Sequence, residues 1–306
     1  MSADPSLRPP PSSSTESTGK IPSNDDIRAI GEIIRDTRNL SAEEVASILE
    51  YQRTHGVRFG EAAIALNLAT TDDVLHALAE QFNYAVGGEE RRKSSPELVA
   101  LNQPFGRQAE VFRAIRAQIT LRLQPDLQSG VTTRRALAVV SPNTRDGKTF
   151  FCANLAIALS QTGGRTLVVD ADLRGPRLHE VFGIESKAGL STLLSGRRGE
   201  STVKPVKGVP NLFVMPVGIS PPNPLELVEG PAFGLLLMEL LNKFDHVIVD
   251  TPAAEYGADC AVIAARCGNA LVVARNDRSR VDDLQDLVET LNATTVKLLG
   301  VVMNEF

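Results

Sequence analysis

The chain has 306 residues, 42% of them apolar, which suffices for one large domain plus a small one. A net charge of −5 excludes a nucleic-acid binder driven by phosphate contacts. Cys152, Cys260 and Cys267 lack metal-ligand spacing and read as small core residues in a reducing compartment.

Residues 1–24 are rich in Pro, Ser and Thr with almost no large apolar side chain, so a disordered tail is expected there. No secretory pattern opens the chain. No apolar run reaches the ~20 residues of a membrane span; the longest, Phe233 to Leu241, is interrupted by Glu239. The expected location is the cytoplasm.

Residues 25–86 read as a duplicated two-helix unit. Gly31-Glu32 recurs as Gly60-Glu61, Ser41-Ala42-Glu43-Glu44-Val45 as Thr70-Thr71-Asp72-Asp73-Val74, and Gln52 as Gln81, all at one offset. Ser41 with Glu44, and Thr70 with Asp73, have the spacing of capping boxes. Ile30, Ile33, Val45, Ile48, Leu49, Val74 and Leu78 are the candidate core, and the unit is expected to dock on another protein. Residues 87–106 are charged, contain Pro96, and read as a linker to a unit spanning 107–306.

That second unit opens with a helix from about Gln108 to Leu123, on which Glu110, Arg113 and Arg116 share a face. Apolar strand candidates follow at Ala136, Thr166, Asn211, His246, Ala270 and Leu298, separated by helical stretches. This pattern predicts an α/β fold with a mostly parallel sheet covered by helices on both faces.

Between the first two strands stands Gly147-Lys148-Thr149, followed by a helical run that the Gly163-Gly164 pair ends. Strand, loop and helix in this order give a phosphate site. Amides of Asp146, Gly147, Lys148, Thr149 and Phe150 would face an anion at the helix N-terminus. Lys148 would reach the β- and γ-phosphates, and Thr149 would ligate Mg²⁺. The general phosphate-loop pattern wants glycine at Pro142 and narrower forms want it at Arg145. A side chain dislikes positive φ by about 1–2 kcal/mol, so another loop path or weaker phosphate binding is expected. Asp170 and Asp172 end the second strand and Asp250 ends the fourth, which brings three carboxylates to the ligand-binding edge beside Lys148. Asp250 before Thr251-Pro252 is the Walker B arrangement, placed to hold Mg²⁺. Asp170 and Asp172 alternate, so one must leave strand geometry if both serve the site.

The stretch from Glu110 to Asn304 resembles the bacterial tyrosine kinases that accompany exopolysaccharide chain-length determinants. The matches are LVVDADLRGPRLHEVFG (Leu167 to Gly183), VGISPPNPLELV (Val217 to Val228), FDHVIVDTP and the Glu110/Arg113/Arg116 helix. The resemblance implies an ATP- and Mg²⁺-dependent kinase with Lys148, Asp170 and Asp172 catalytic, one of the two carboxylates acting as base and one lying near the metal. It further implies Thr149, Asp170 and Asp250 at the metal, Arg174 near substrate or phosphates, and Asn304 at the adenine. Glu110, Arg113 and Arg116 match a subunit contact that closes a ring. The implied setting is a cytoplasmic protein, peripheral to the inner membrane through a chain-length-determinant partner. The helical repeat resembles the N-terminal domain of type II secretion and pilus ATPases, some of which bind a cyclic dinucleotide.

Thr144-Arg145-Asp146-Gly147-Lys148 stands where the family reads Pro-Gly-Glu-Gly-Lys. The tyrosines are Tyr51, Tyr84 and Tyr256, with none after Asn304, so the phosphate acceptor is expected to be another protein. Two further readings compete. One is a nucleotide-dependent regulatory switch of the same fold without phosphate transfer. The other is a partition ATPase, which Asn143-Thr144-Arg145 disfavours because that class wants Lys-Gly-Gly there.

Overall fold

A computed structural model describes residues 30–81, 95–123, 135–197 and 201–305. The expected tail (1–24), most of the charged half of the expected linker (87–94) and Tyr84 lie outside the described residues. The chain forms two compact units, divided between residues 82 and 83.

The first unit contains α1 (Ile30–Arg38), α2 (Ala42–His55), α3 (Phe59–Ala65) and α4 (Thr71–Gln81). The duplicated caps are formed. The Ser41 amide donates to Glu44 at 2.8 Å and the Glu44 amide to Ser41 Oγ at 3.2 Å. The Thr70 amide donates to Asp73 at 2.7 Å and the Asp73 amide returns to Thr70 Oγ1 at 3.3 Å. Arg38 Nε donates to Asp73 at 2.7 Å and ties the two repeats together. Gly60 has a packing reason: a Cβ there would meet Val74 Cγ1 at 2.6 Å, so glycine lets α3 approach α4. Ile33, Ile34, Ile48, Ala62, Ala63 and Ala77 form the core. Leu49, read as core, is 44% exposed, because the face of α2 turned inward is the one carrying Ile48. A fragment of residues 25–90 is expected to fold alone and melt cooperatively by circular dichroism; a featureless melt would remove this boundary.

The second unit contains α5 (Val99–Asn102), α6 (Arg107–Leu123), β1 (Ala136–Val140), α7 (Lys148–Ser160) and β2 (Thr166–Asp170). Next come α8 (Leu178–Phe182), α9 (Leu190–Leu194), β3 (Lys204–Pro205), β4 (Leu212–Met215), α10 (Pro224–Glu229) and α11 (Pro231–Lys243). It closes with β5 (His246–Asp250), α12 (Asp259–Cys267), β6 (Gly268–Arg275), α13 (Val281–Asn292) and β7 (Lys297–Asn304). The sheet order is β3-β4-β2-β5-β1-β6-β7, parallel except for the two-residue β3. Alternate residues of the inner strands feed two cores. Leu137, Val139, Val168 and Ile248 face α5, α6 and α7, whereas Ala138, Val169, Val249 and Val272 face α10 to α13. This double burial is why the strands read as unbroken apolar runs.

The C-terminal half of the expected linker is built into the fold instead. Leu98, Ala100 and Leu101 are buried against α7, and the Ala100 amide donates to Asn154 Oδ1 at 2.9 Å. Asn154 Nδ2 donates to the Glu97 carbonyl at 2.8 Å, so one α7 side chain clips the segment from both sides.

Candidate phosphate-transfer site

The phosphate loop spans residues 141–147, between β1 and α7. Arg145 takes φ +63°, in the left-handed region that glycine would occupy. The loop therefore keeps the glycine-like conformation, correcting the expectation of another path, and bears a strain of about 1–2 kcal/mol. The loop is held from outside. Arg275 Nη1 donates to the Arg145 carbonyl at 3.3 Å, and the Thr144 amide donates to Glu255 Oε1 at 2.5 Å. The Ala254 and Glu255 amides donate to the Ser141 and Pro142 carbonyls at 2.9 and 3.0 Å. Hydrogen bonds from Thr144 keep the Glu255 carboxyl below its usual range. Gly147, at φ +102°, is required twice over, since a Cβ would lie 2.1 Å from Asn304 Nδ2.

Lys148 opens α7, is 7% exposed, and donates from Nζ to Ser141 Oγ at 2.9 Å. Thr149 Oγ1 donates to Asp250 Oδ2 at 2.7 Å, which joins the phosphate loop to the end of β5. Asp250 Oδ1 is buried and makes no hydrogen bond. Asp170 stands directly beside Asp250, paired with it in register across β2 and β5. Burial, then the charge of Asp250, drives the Asp170 carboxyl well above its usual range. Burial likewise raises Asp250 to about 6, against the opposing pull of Lys148.

A hard divalent cation fits this arrangement: an orphaned carboxylate oxygen, a threonine hydroxyl and two buried carboxyls side by side. Among the described residues no three acidic, histidine or cysteine side chains converge to hold a cation alone. Its remaining ligands would then be phosphate oxygens and water. The pH dependence follows. Without a cation, the stability linked to Asp250 is full below its usual 3.8 and is lost as pH rises through about 6. Mg²⁺ binds the ionised form, so its stabilising shift in Tm is expected to be larger near pH ~7.5 than near pH ~5. Equal shifts in differential scanning fluorimetry would place the cation elsewhere.

The two aspartates of β2 separate in role. The strand ends at Asp170, and Asp172 lies on the turn beyond it, which settles how alternating residues reach one edge. Asp170 is fully buried and committed to backbone. Its Oδ2 accepts from the Arg177 and Leu178 amides at 3.1 and 3.0 Å, and its Oδ1 from the Asp172 amide at 3.2 Å. Asp172 is half-buried and accepts the Arg174 and Gly175 amides at 3.2 and 2.9 Å. Arg174 forks onto Asp259.

Phe150 sits on α7 with its ring edge-on to Phe112, centroids 5.9 Å apart, so its side chain packs against α6. Asp146 is buried and accepts the Asn143 amide at 3.0 Å, leaving Oδ1 without a partner. Asn304 Nδ2 donates to the Asp146 carbonyl at 2.9 Å, which brings the end of β7 onto the loop. Glu110 and Arg113 pair along α6, and Arg113 also reaches the Pro104 carbonyl at 2.6 Å. Arg116 Nη1 donates to the Ala158 carbonyl at 2.7 Å, in the last turn of α7. Ser141, Glu255 and Asp259 contact Lys148, the phosphate loop and Arg174 respectively, and the sequence did not single them out. Of these, only Ser141, closing the strand before the loop, carried a local signal.

Parallel strands, a phosphate loop, and a strand-end carboxylate bonded to the loop threonine define a P-loop NTPase. Residues 132–305 match the ParA family, described as NUBPL iron-transfer P-loop NTPase. That match covers the shared α/β unit, although Asn143, Thr144 and Arg145 replace the Lys-Gly-Gly of partition ATPases. Tyrosine-protein kinase ptk of Acinetobacter johnsonii is 33% identical over 216 residues, 70% of this chain and 28% of that protein. Tyrosine-protein kinase CpsD of Streptococcus agalactiae is 30% identical over 197 residues, 64% of this chain and 82% of that protein. The kinase domain of Escherichia coli tyrosine kinase ETK has a TM-score of 0.64 at 25% identity, covering 74% of this chain and 91% of that one. The chain belongs to the bacterial tyrosine-kinase family, on a ParA-like P-loop fold. It spans 28% of the length of the Acinetobacter relative. Among the described residues no helix is long and apolar enough to cross a membrane.

Proposed function

We propose that the chain is an ATP-dependent protein tyrosine kinase acting in exopolysaccharide export. The observation that carries this reading is the Thr149–Asp250 hydrogen bond, with Lys148 and the Asp172 turn at the same sheet edge. In this reading Lys148 and the loop amides hold the β- and γ-phosphates. Thr149 and Asp250, with Asp170 beside them, hold Mg²⁺, which when bound neutralises charge on the phosphates. Asp172, the most accessible carboxylate of the three, orients or deprotonates the acceptor phenol. Asp170 chiefly shapes the turn through the three amides it accepts.

The acceptor tyrosine is proposed to lie on another protein, and the working partner is a membrane chain-length determinant, which would bring this chain to the inner membrane from the cytoplasm. The helical unit is the proposed docking module. The test is transfer of label from radioactive ATP to tyrosine on a purified partner or sugar-processing enzyme. ATP binding with no phosphotyrosine in the partner's presence would replace the kinase with a nucleotide-dependent switch.

Assembly through α6 is part of the proposal. A triple alanine variant at Glu110, Arg113 and Arg116 is expected to sediment as monomer while wild type forms Mg²⁺-dependent oligomers. Loss of the Arg116 bond to α7 should cost about 0.5–1.5 kcal/mol besides. Identical sedimentation of the two proteins would leave these residues with intramolecular roles alone.

A further inference from the structure

We propose that Asp259 is a positioning residue for phosphate transfer: it clamps Arg174 and thereby aims Asp172. This inference rests on the kinase reading above. Asp259 opens α12 and is only 2% exposed. Its two oxygens accept the guanidinium of Arg174 side-on, Nε to Oδ1 at 3.2 Å and Nη2 to Oδ2 at 3.0 Å. Two parallel charge-assisted bonds fix orientation as well as distance.

What Arg174 does with its backbone gives the clamp its consequence. Its amide and that of Gly175 both donate to Asp172 Oδ1. One residue therefore grips Asp172 through the main chain and Asp259 through the side chain. The ends of the turn are fixed separately by Asp170, which accepts the Asp172, Arg177 and Leu178 amides. Leu173 anchors the turn by burial but cannot set the direction of a carboxylate. The Arg174–Asp259 fork is the polar tether between the middle of this turn and the helix after β5. A buried carboxylate held by an arginine is a costly way to fasten a loop, where an apolar contact would serve. Fixing orientation is what the ion pair adds.

The same geometry changes how Arg174 is read. With Nε and Nη2 engaged by Asp259, Arg174 acts on the reaction through Asp172, and only the N–H groups this pairing leaves over remain for a phosphate.

The experiment compares full-length wild type, Asp259→Asn and Asp259→Glu. It measures transfer to a glutamate–tyrosine copolymer and hydrogen–deuterium exchange of residues 171–178. Asp259→Asn keeps the shape and removes the charge. It is expected to lower kcat roughly tenfold with KM for ATP within about twofold. Exchange at 171–178 should accelerate while β1 and β5 stay protected, and Asp259→Glu should recover part of both effects. Unchanged exchange at 171–178, or a raised KM with kcat intact, would overturn the proposal. If Asp259→Asn unfolds, Arg174→Lys, which loses the fork at a more exposed position, is read by the same two measurements. A wild type that transfers nothing would sink the kinase reading, while the exchange comparison still decides whether the tether exists.

Discussion

Alanine in place of Lys148 is expected to weaken ATP binding by roughly a hundredfold, equivalent to about 3 kcal/mol, the upper range for a hydrogen bond to a charged group. Two features set this expectation. Lys148 is almost fully buried, so water cannot replace it at the phosphates, and its Nζ is already fixed on Ser141 Oγ at 2.9 Å. Ligand binding then needs a change of partner rather than the ordering of a free chain. The substitution also removes the cation that opposes the upward drift of Asp250, so that carboxyl should rise above about 6 and Mg²⁺ should bind more weakly at neutral pH. Titration of a fluorescent ATP analogue with and without Mg²⁺ measures both effects. Affinity within threefold of wild type would mean that the loop does not bind phosphate through this residue.

How much of this was legible depended on whether the cause of each feature lay nearby in the chain. The inner strands could be read because both faces of the sheet are covered there, which forces runs such as Leu167-Val168-Val169 to be apolar throughout. The phosphate loop was legible because Gly147, Lys148 and Thr149 act within one turn of the helix they begin. The paired caps at Ser41 and Thr70 are local as well. The two-residue β3 had no such signature, since it exists only by pairing with β4. The segment at Leu98–Leu101 looked like linker because its anchor, Asn154, lies 54 residues away from Ala100. Arg145 was visible as a departure, but its outcome was not. The contacts that hold the loop come from Glu255 and Arg275, on two other segments. Asp259 was hidden for the same reason, its meaning residing in an arginine 85 residues earlier.

Asp172→Asn is expected to abolish tyrosine phosphorylation while leaving ATP affinity within roughly tenfold, a difference of about 1.4 kcal/mol. The acceptor phenol has a free pKa of ~10 and must be oriented or deprotonated beside the γ-phosphate. Asparagine preserves the size of the side chain and can still accept the Arg174 and Gly175 amides through its carbonyl, so the turn should keep its shape. What it loses is the negative charge and the basic oxygen. Asp170→Asn should behave differently, and the contrast is diagnostic. Asp170 is fully buried and accepts three backbone amides, two on Oδ2 and one on Oδ1, so whichever way an asparagine turned, its NH2 would face at least one N–H donor. Loss of thermal stability, together with weaker Mg²⁺ binding, is therefore expected at Asp170, with lost transfer following from a disturbed turn. At Asp172 transfer should fall with Tm nearly unchanged. Parallel assays of label transfer, ATP binding and Tm on the two variants separate a residue that acts on substrate from one that builds the turn. Equal losses of stability at both positions would assign Asp172 to the scaffold and leave the phenol without a base in this site.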